Sequence, residues 1–261
     1  MTSQTFGRGA LLGLAALTIL GCGQPPDQFI IVQDQVPMQP GCLIPTTIGS
    51  VYQSEGFMDV RLVFPDTTIG YEIFPVVRNN LPGNSGSSGD PNRIALSAFE
   101  VDVSVADDAP QGVKDMFAAF QTSGPSGAPD QMIKYRSLTS GSVTSEGGTA
   151  ASAVTGVPAD LARALRASGH LQGAPPFHLI STVRAVGKTT TRTVTSDPFD
   201  FPITVCDGCL IRNAVGGEVP TCPLTYTPAT GNSCNIAQDG YVDCCQTGAG
   251  ELVCPGMVAI K

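Results

Sequence analysis

The sequence predicts a mainly β fold: an Ig-like or fibronectin-like β-sandwich with one or two short helices and a disulfide-rich C-terminal block. Three observations predict it. Gly and Pro, 30 and 21 of 261 residues, make up about a fifth of the chain and favour many short strands and turns over long helices. Apolar residues alternate with polar ones in several segments, the period of half-buried strands. Seven of the nine cysteines fall between 206 and 254.

Phe29-Ile30-Ile31-Val32 interrupts a Pro-rich stretch and is expected to dock as an edge strand. From Glu55 a strand is expected in which Met58, Val60, Leu62 and Phe64 face one way and Asp59 and Arg61 the other. Tyr71, Ile73, Pro75 and Val77 repeat the pattern until the turn residues Asn79-Asn80-Leu81-Pro82-Gly83 end it. Ile94 to Val105 forms a further strand, with a phase slip at Ala98-Phe99 that predicts a bulge. Gly112 to Gln121 places Val113, Met116, Phe117 and Phe120 on one side of a short helix. Met132 to Leu138 reads as a strand. Pro158 to Ser168 reads as a helix, with Pro near its start and Gly169 just past its end. Phe177 to Val186 runs to a hairpin turn at Gly187-Lys188, and the Thr-rich run 189–195 returns. Phe199, Phe201, Ile203 and Val205 alternate into Cys206. The Phe-Pro pairs at 64–65, 74–75 and 201–202 suggest edge strands, where a missing N–H is tolerated.

The N-terminus reads as an export signal. Arg8 is followed by an apolar run from Ala10 to Leu20, too short to span a bilayer, which takes about 20 apolar residues. Ile19-Leu20-Gly21-Cys22 then resembles the lipobox of bacterial lipoproteins. The resemblance implies that Cys22 receives a diacylglyceryl group, that the signal (1–21) is cut before it, and that the new amine is acylated. Several acyl chains make a stable anchor where one is marginal. Gly23, in place of the Asp that retains such proteins in the inner membrane, implies the outer membrane, on its periplasmic face or at the cell surface. The resemblance covers about the first tenth of the chain. In general layout the body is similar to exported β-sandwich lipoproteins of Gram-negative bacteria, which assigns no activity. The expected organisation is therefore signal (1–21), lipidated Cys and Pro-rich tether (22–41), β-sandwich (42–205) and Cys-rich block (206–261).

Setting Cys22 aside leaves eight cysteines: Cys42, Cys206, Cys209, Cys222, Cys234, Cys244, Cys245 and Cys254. An even count in an exported chain reads as a disulfide framework. Eight cysteines allow 105 pairings, among which the sequence does not choose. Because the block holds seven, full oxidation requires one of them to pair with Cys42. Adjacent Cys244 and Cys245 are expected to take different partners. Cys206-Asp207-Gly208-Cys209 has redox spacing, but no clear helix follows it. A Cys₄ zinc site would need a second CxxC knuckle, which is missing.

Without the signal the charge is 13 − 22 = −9, because only Arg8 leaves with it. This disfavours a nucleic-acid binder and electrostatic docking on anionic lipid. Gly-x-Ser-x-Gly, Ser-x-x-Lys, His-Glu-x-x-His, a Walker lysine and GxGxxG are all missing. His170 and His178 are tied to no Ser, Cys or acid by motif. Asp107-Asp108 reads as a turn with solvated charges, Asp197 and Asp200 flank a strand start, and Asp207-Gly208 and Asp239-Gly240 read as turn dipeptides. No catalytic residue, metal site or cofactor is assigned. The expected function is a membrane-anchored structural or interaction module of the cell envelope, joined to the membrane by its lipid and to an envelope or extracellular protein. The alternatives are a lipid-anchored hydrolase using His178 with a distant Ser or Asp, and a metal or small-ligand carrier using the Cys block.

Overall fold

A computed structural model describes residues 28–38, 41–64, 70–83, 89–127, 130–214 and 218–255. The signal, Cys22, the start of the tether and residues 84–88 lie outside the described residues. Over the described residues the chain is mainly β, with two α-helices and its disulfides gathered toward the C-terminus.

β1 (Phe29–Gln35) is not the edge strand expected: it lies between β2 (Tyr52–Gln53) and β5 (Pro75–Asn79) in a four-stranded sheet ordered β2-β1-β5-β8, where β8 is Gly148–Ala151. The stretch 29–35 thus belongs to the folded body. The strand expected from Glu55 is cut short. β3 (Gly56–Asp59) gives way to a 3-10 turn, Val60–Leu62, because the Asp59 carboxylate accepts the Arg61 N–H and caps it. The single strand expected over 71–77 is two. β4 (Tyr71–Ile73) pairs with β9 (Val154–Val157), whereas β5 belongs to the four-stranded sheet. Phe74 is the crossover, and its N–H is bonded by the Asp34 side chain instead of a strand.

The larger sheet is ordered β3-β12-β10-β6-β7, with β11 beside β10. Its strands are β6 (Ile94–Val105), β7 (Lys134–Val143), β10 (Phe177–Lys188), β11 (Thr193–Thr195) and β12 (Phe199–Cys206). All its pairs are antiparallel except β3 with β12. Ala98 and Phe99 are both buried, and the register slips between Leu96 and Ala98, so the predicted bulge is present. Gly187 and Lys188 stay in the ladder against Val194 and Thr193. The reversal falls instead at 189–192, where the Thr189 hydroxyl accepts the N–H groups of Thr191 and Arg192. The Phe-Pro pairs at 74–75 and 201–202 do not lie on edge strands, and Pro65 of the pair at 64–65 lies outside the described residues. Pro75 opens β5, and Pro202 sits one residue before β12 meets β3. Neither position needs the lost N–H.

α1 (Gln111–Ser123) buries Val113 and Phe117, with Met116 and Phe120 packed against the core. α2 (Ala159–Ala167) buries Leu161 and Leu165, with Pro158 before it and Gly169 left-handed after it. Both sheets share one apolar core that includes Phe29, Ile31, Val77, Phe99, Val101, Phe177, Leu179 and Phe201. Beyond β12 regular structure nearly stops: β13 (Cys245–Gln246) and β14 (Leu252–Val253) are two residues each. No helix among the described residues is long and apolar enough to cross a membrane.

Candidate functional site at the junction of sheet and disulfide block

The C-terminal block has little apolar surface of its own, so it is held by covalent links and by buried polar side chains. Its disulfides join Cys42–Cys234, Cys206–Cys209, Cys222–Cys245 and Cys244–Cys254. The first spans 192 residues and ties the start of the body to the block, while the second closes only the CxxC itself. Cys244 and Cys245 take different partners and so link the segment ending at Cys254 to the segment around Cys222.

Residues 234–239 then clip onto β3 and β4. Asp59 N–H donates to the Ala237 carbonyl, and the Asn235 side chain donates to the Gly70 carbonyl. The Gln238 amide both accepts from Glu72 N–H and donates to its carbonyl, replacing a missing strand. Asp239 is the hub. One carboxylate oxygen accepts the Phe57 N–H at 2.7 Å, and the other accepts the Tyr71 hydroxyl at 2.8 Å and the Gln238 amide at 3.2 Å. Gly56 permits this arrangement, since a Cβ there would stand 1.8 Å from the Tyr71 oxygen. Burial raises the Asp239 carboxyl above its ordinary range, against the pull of these hydrogen bonds. Burial, followed by the nearby Asp239 charge, also raises the Tyr71 hydroxyl well above its usual value.

Asp34, on the neighbouring β1, is fully buried. One oxygen accepts the Phe74 N–H, and the other has no hydrogen-bond partner. Burial pushes this carboxyl up to about 7; the Phe74 N–H and then the nearby Gln53 side chain oppose the shift, and the Asp239 charge adds to it. A buried carboxyl with an unsatisfied oxygen favours its protonated form.

Asp59 makes the second clasp. It stands opposite Cys206 in the parallel β3–β12 pair, with its side chain fully buried. Its carboxylate accepts three N–H groups: Arg61 at 3.0 Å, Gly208 at 2.7 Å and Leu210 at 2.9 Å. The loop after Cys206 is thus wound around a carboxylate from the sheet. Burial raises this carboxyl too. Deeper in the block, fully buried Asp243 pairs with Arg212 through two hydrogen bonds and accepts the Ala229 N–H. The Arg212 pairing holds the Asp243 carboxyl below its usual range.

The junction gathers Cys42, Cys206, Cys209 and Cys234 beside three acids that the sequence pattern did not single out as buried: Asp34, Asp59 and Asp239. Asp59 was expected to point outward, but the alternation ends at Asp59 itself. Asp239 occupies the expected turn, at φ 55°, yet its side chain turns inward. Their sequence signal was the spacing to Asn235 and Gln238 and to the CxxC loop, which shows no period. Cys22 lies outside the described residues.

The two histidines stand apart from the junction. His170 is exposed after α2. His178, the second residue of β10, pairs through Nδ1 with Asp108, while its backbone N–H donates to the same carboxylate at 3.2 Å. Both side chains are about two-fifths exposed, at 41% and 43%. Burial acts to raise the Asp108 carboxyl, but the bonds to His178 outweigh it and lower it. On the outer face of the larger sheet, cross-strand neighbours Arg184, Glu100 and Arg136 line a shallow hollow of about 330 Å³ with Asp102 and Lys134, which form an ion pair at 3.0 Å. No family model, curated protein or solved structure matches this chain.

Proposed function

We propose that the protein is an exported lipoprotein, anchored through Cys22 in the outer membrane, whose β-rich body serves as a structural or interaction module of the cell envelope. One observation carries the reading. The eight other cysteines are used up among themselves in four disulfides, and the ninth is the one that follows a signal-length apolar run. The body offers a contact surface in β7, the ten-residue edge of the larger sheet, where Leu138 is 81% exposed. An edge of that length supports strand addition by a partner peptide.

Metabolic labelling with a fatty acid tests the anchor. Wild-type protein is expected to take up label and fractionate with membranes, and Cys22→Ser to do neither; unchanged labelling in that variant overturns the reading. A photo-crosslinker at Leu138 on intact cells tests the contact surface. It is expected to give a discrete adduct that the same group at Tyr241, also exposed, does not.

A second reading, a lipid-anchored hydrolase, is favoured by the His178–Asp108 pair, the arrangement in which a carboxylate orients a general base. It predicts turnover by the purified 23–261 fragment that His178→Ala abolishes. The carrier reading needs thiolates in the Cys block, whose sulfurs are joined as disulfides.

A further inference from the structure

We propose that Cys206 and Cys209 form a thiol–disulfide exchange site, open to solvent at Cys209 and backed by the Asp59 carboxyl, that accepts two electrons from a dithiol on a peptide or unfolded protein chain. This goes beyond the anchored module and does not depend on the anchor.

The two sulfurs differ in access. Cys206 ends β12 and is 5% exposed, whereas Cys209 is the one exposed cysteine among the eight in disulfides. An incoming thiolate therefore reaches Cys209 and not Cys206. A carboxylate oxygen of Asp59 and both sulfurs all lie within 4.8 Å of one another. Arg61 lies over the loop, its guanidinium 3.2 Å from where a Cβ on Gly208 would stand. A cation there favours a thiolate at the mouth of the site.

The loop also has a reason to keep its shape when the bond opens. It is held by the Asp59 bonds to Gly208 and Leu210, and Gly208 supplies the positive φ of 95° that the turn requires. The disulfide bridges only three positions of sequence, the shortest of the four, so it constrains the unfolded chain least. Its chemistry is separable from the framework.

The exchange balances as follows. The first thiolate of the dithiol attacks Cys209 Sγ. The S–S bond breaks and its electron pair leaves on Cys206 Sγ, which takes a proton from the protonated form of the Asp59 carboxyl beside it, and the resulting carboxylate recovers that proton from water. The second thiolate then attacks the substrate sulfur of the mixed disulfide and expels Cys209, which takes a proton from water. One substrate disulfide and two protein thiols result, and two electrons have passed from substrate to protein.

The full-length oxidised protein is titrated with dithiothreitol, quenched by alkylation and mapped by peptide mass. Cys206–Cys209 is expected to open about tenfold faster than any other disulfide, with the far-ultraviolet spectrum unchanged. Simultaneous opening of all four overturns the proposal. A second measurement uses single variants and a peptide carrying an oxidised Cys-x-x-Cys as probe. Cys206→Ser, which leaves Cys209 as a thiol, is expected to form a mixed disulfide about tenfold faster than Cys209→Ser, which leaves the buried sulfur. Equal rates, or no adduct with either, overturn it. For Asp59, faced by Arg61 and Asp207, Asp59→Asn is expected to flatten the pH dependence of opening at Cys206–Cys209 and leave the other three disulfides unchanged. An unchanged pH profile removes Asp59 from the step.

Discussion

The two parts of the molecule keep their shape by different means. In the sheets, residues 29–206, backbone groups are satisfied by ladders, and Phe99, Phe177, Leu179 and Phe201 are essentially inaccessible. Among the described residues of the block, 207–255, the only strands are two residues long, and the same tasks fall to side chains and sulfur. Asp59, Gln238, Asp239 and Asp243 bond backbone groups that have no strand beside them. The difference follows from size, since a segment of this length encloses too little apolar surface to stand on burial alone. It also sets how each part fails: truncated side chains should loosen the sheets, whereas lost cross-links and changed protonation should loosen the block and its junction with them.

The largest effect is expected at the cross-link between the two. Cys42–Cys234 closes a loop of 192 positions, which the chain-entropy relation converts to about 5 kcal/mol. The double variant Cys42→Ser, Cys234→Ser should lose close to that in urea unfolding. It should also make residues 234–239 the first to exchange amide hydrogens. A loss no larger than that from removing Cys244–Cys254, ten positions apart, would contradict the ranking.

Next comes protonation at the junction. Asp34 rises from an ordinary 3.8 to about 7 on folding, so the folded state holds its proton more tightly than the unfolded chain. The favourable protonated state is complete below about 4, and stability falls as pH rises toward 7 and levels off above it. The full span corresponds to about 4 kcal/mol. Glu72, Asp59 and Asp239 are raised as well and add in the same direction. Asp243, lowered by Arg212, acts oppositely: its contribution is present above its ordinary value and lost in stronger acid. The protein should therefore be more stable to urea at pH 5 than at pH 8. Asp34→Asn, which keeps the oxygen that bonds Phe74, should remove most of that difference; an equally steep profile in the variant would place the buried charge elsewhere.

These two effects also mark what the sequence could and could not disclose. The sheets were legible wherever burial imposed a period: the bulge at Ala98-Phe99, both helices and the alternation of β12 follow from side-chain pattern alone. The pattern misled where the chain changes partners. Tyr71, Ile73, Pro75 and Val77 read as one face of a single strand, but Phe74 and Val76 between them are apolar and buried too, and Phe74 carries the chain from one sheet to another. Asp59 looks outward by count, but the strand ends under it. In the block, cysteine parity identified the need for a link to Cys42, and only the fold chose Cys234. The acids at the junction had no period to announce them, because their partners are distant in sequence: 40 residues for Asp34 and Phe74, 149 for Asp59 and Gly208, 168 for Asp239 and Tyr71.

In the sheets the matching experiment is Leu179→Ala. Leu179 is fully buried on β10, between Val105 of β6 and Ile203 of β12. Truncation should cost about 3 kcal/mol, from lost transfer energy and the cavity left behind. Unlike the loss at Asp34, it should be the same at pH 5 and pH 8. A marked pH dependence would show that Leu179 is energetically coupled to the titrating acids of the junction.

The smallest effect is expected at the disulfide nearest to both regions. Removing it with Cys206→Ser, Cys209→Ser should cost about 2 kcal/mol, because the loop it closes is so short. The Asp59 carboxylate still holds Gly208 and Leu210, and Cys206 keeps its strand partners on β10 and β3 through neighbouring residues. Urea unfolding of the double variant against wild type measures the cost. A loss near that of Cys42–Cys234 would mean that the sulfur bond, and not the carboxylate, folds this loop. The exchange site proposed above would then lose the independence from the framework on which it rests. A loss of about 2 kcal/mol with intact β structure would leave a covalent bond that contributes little to folding, open to solvent on one side and backed by an acid on the other.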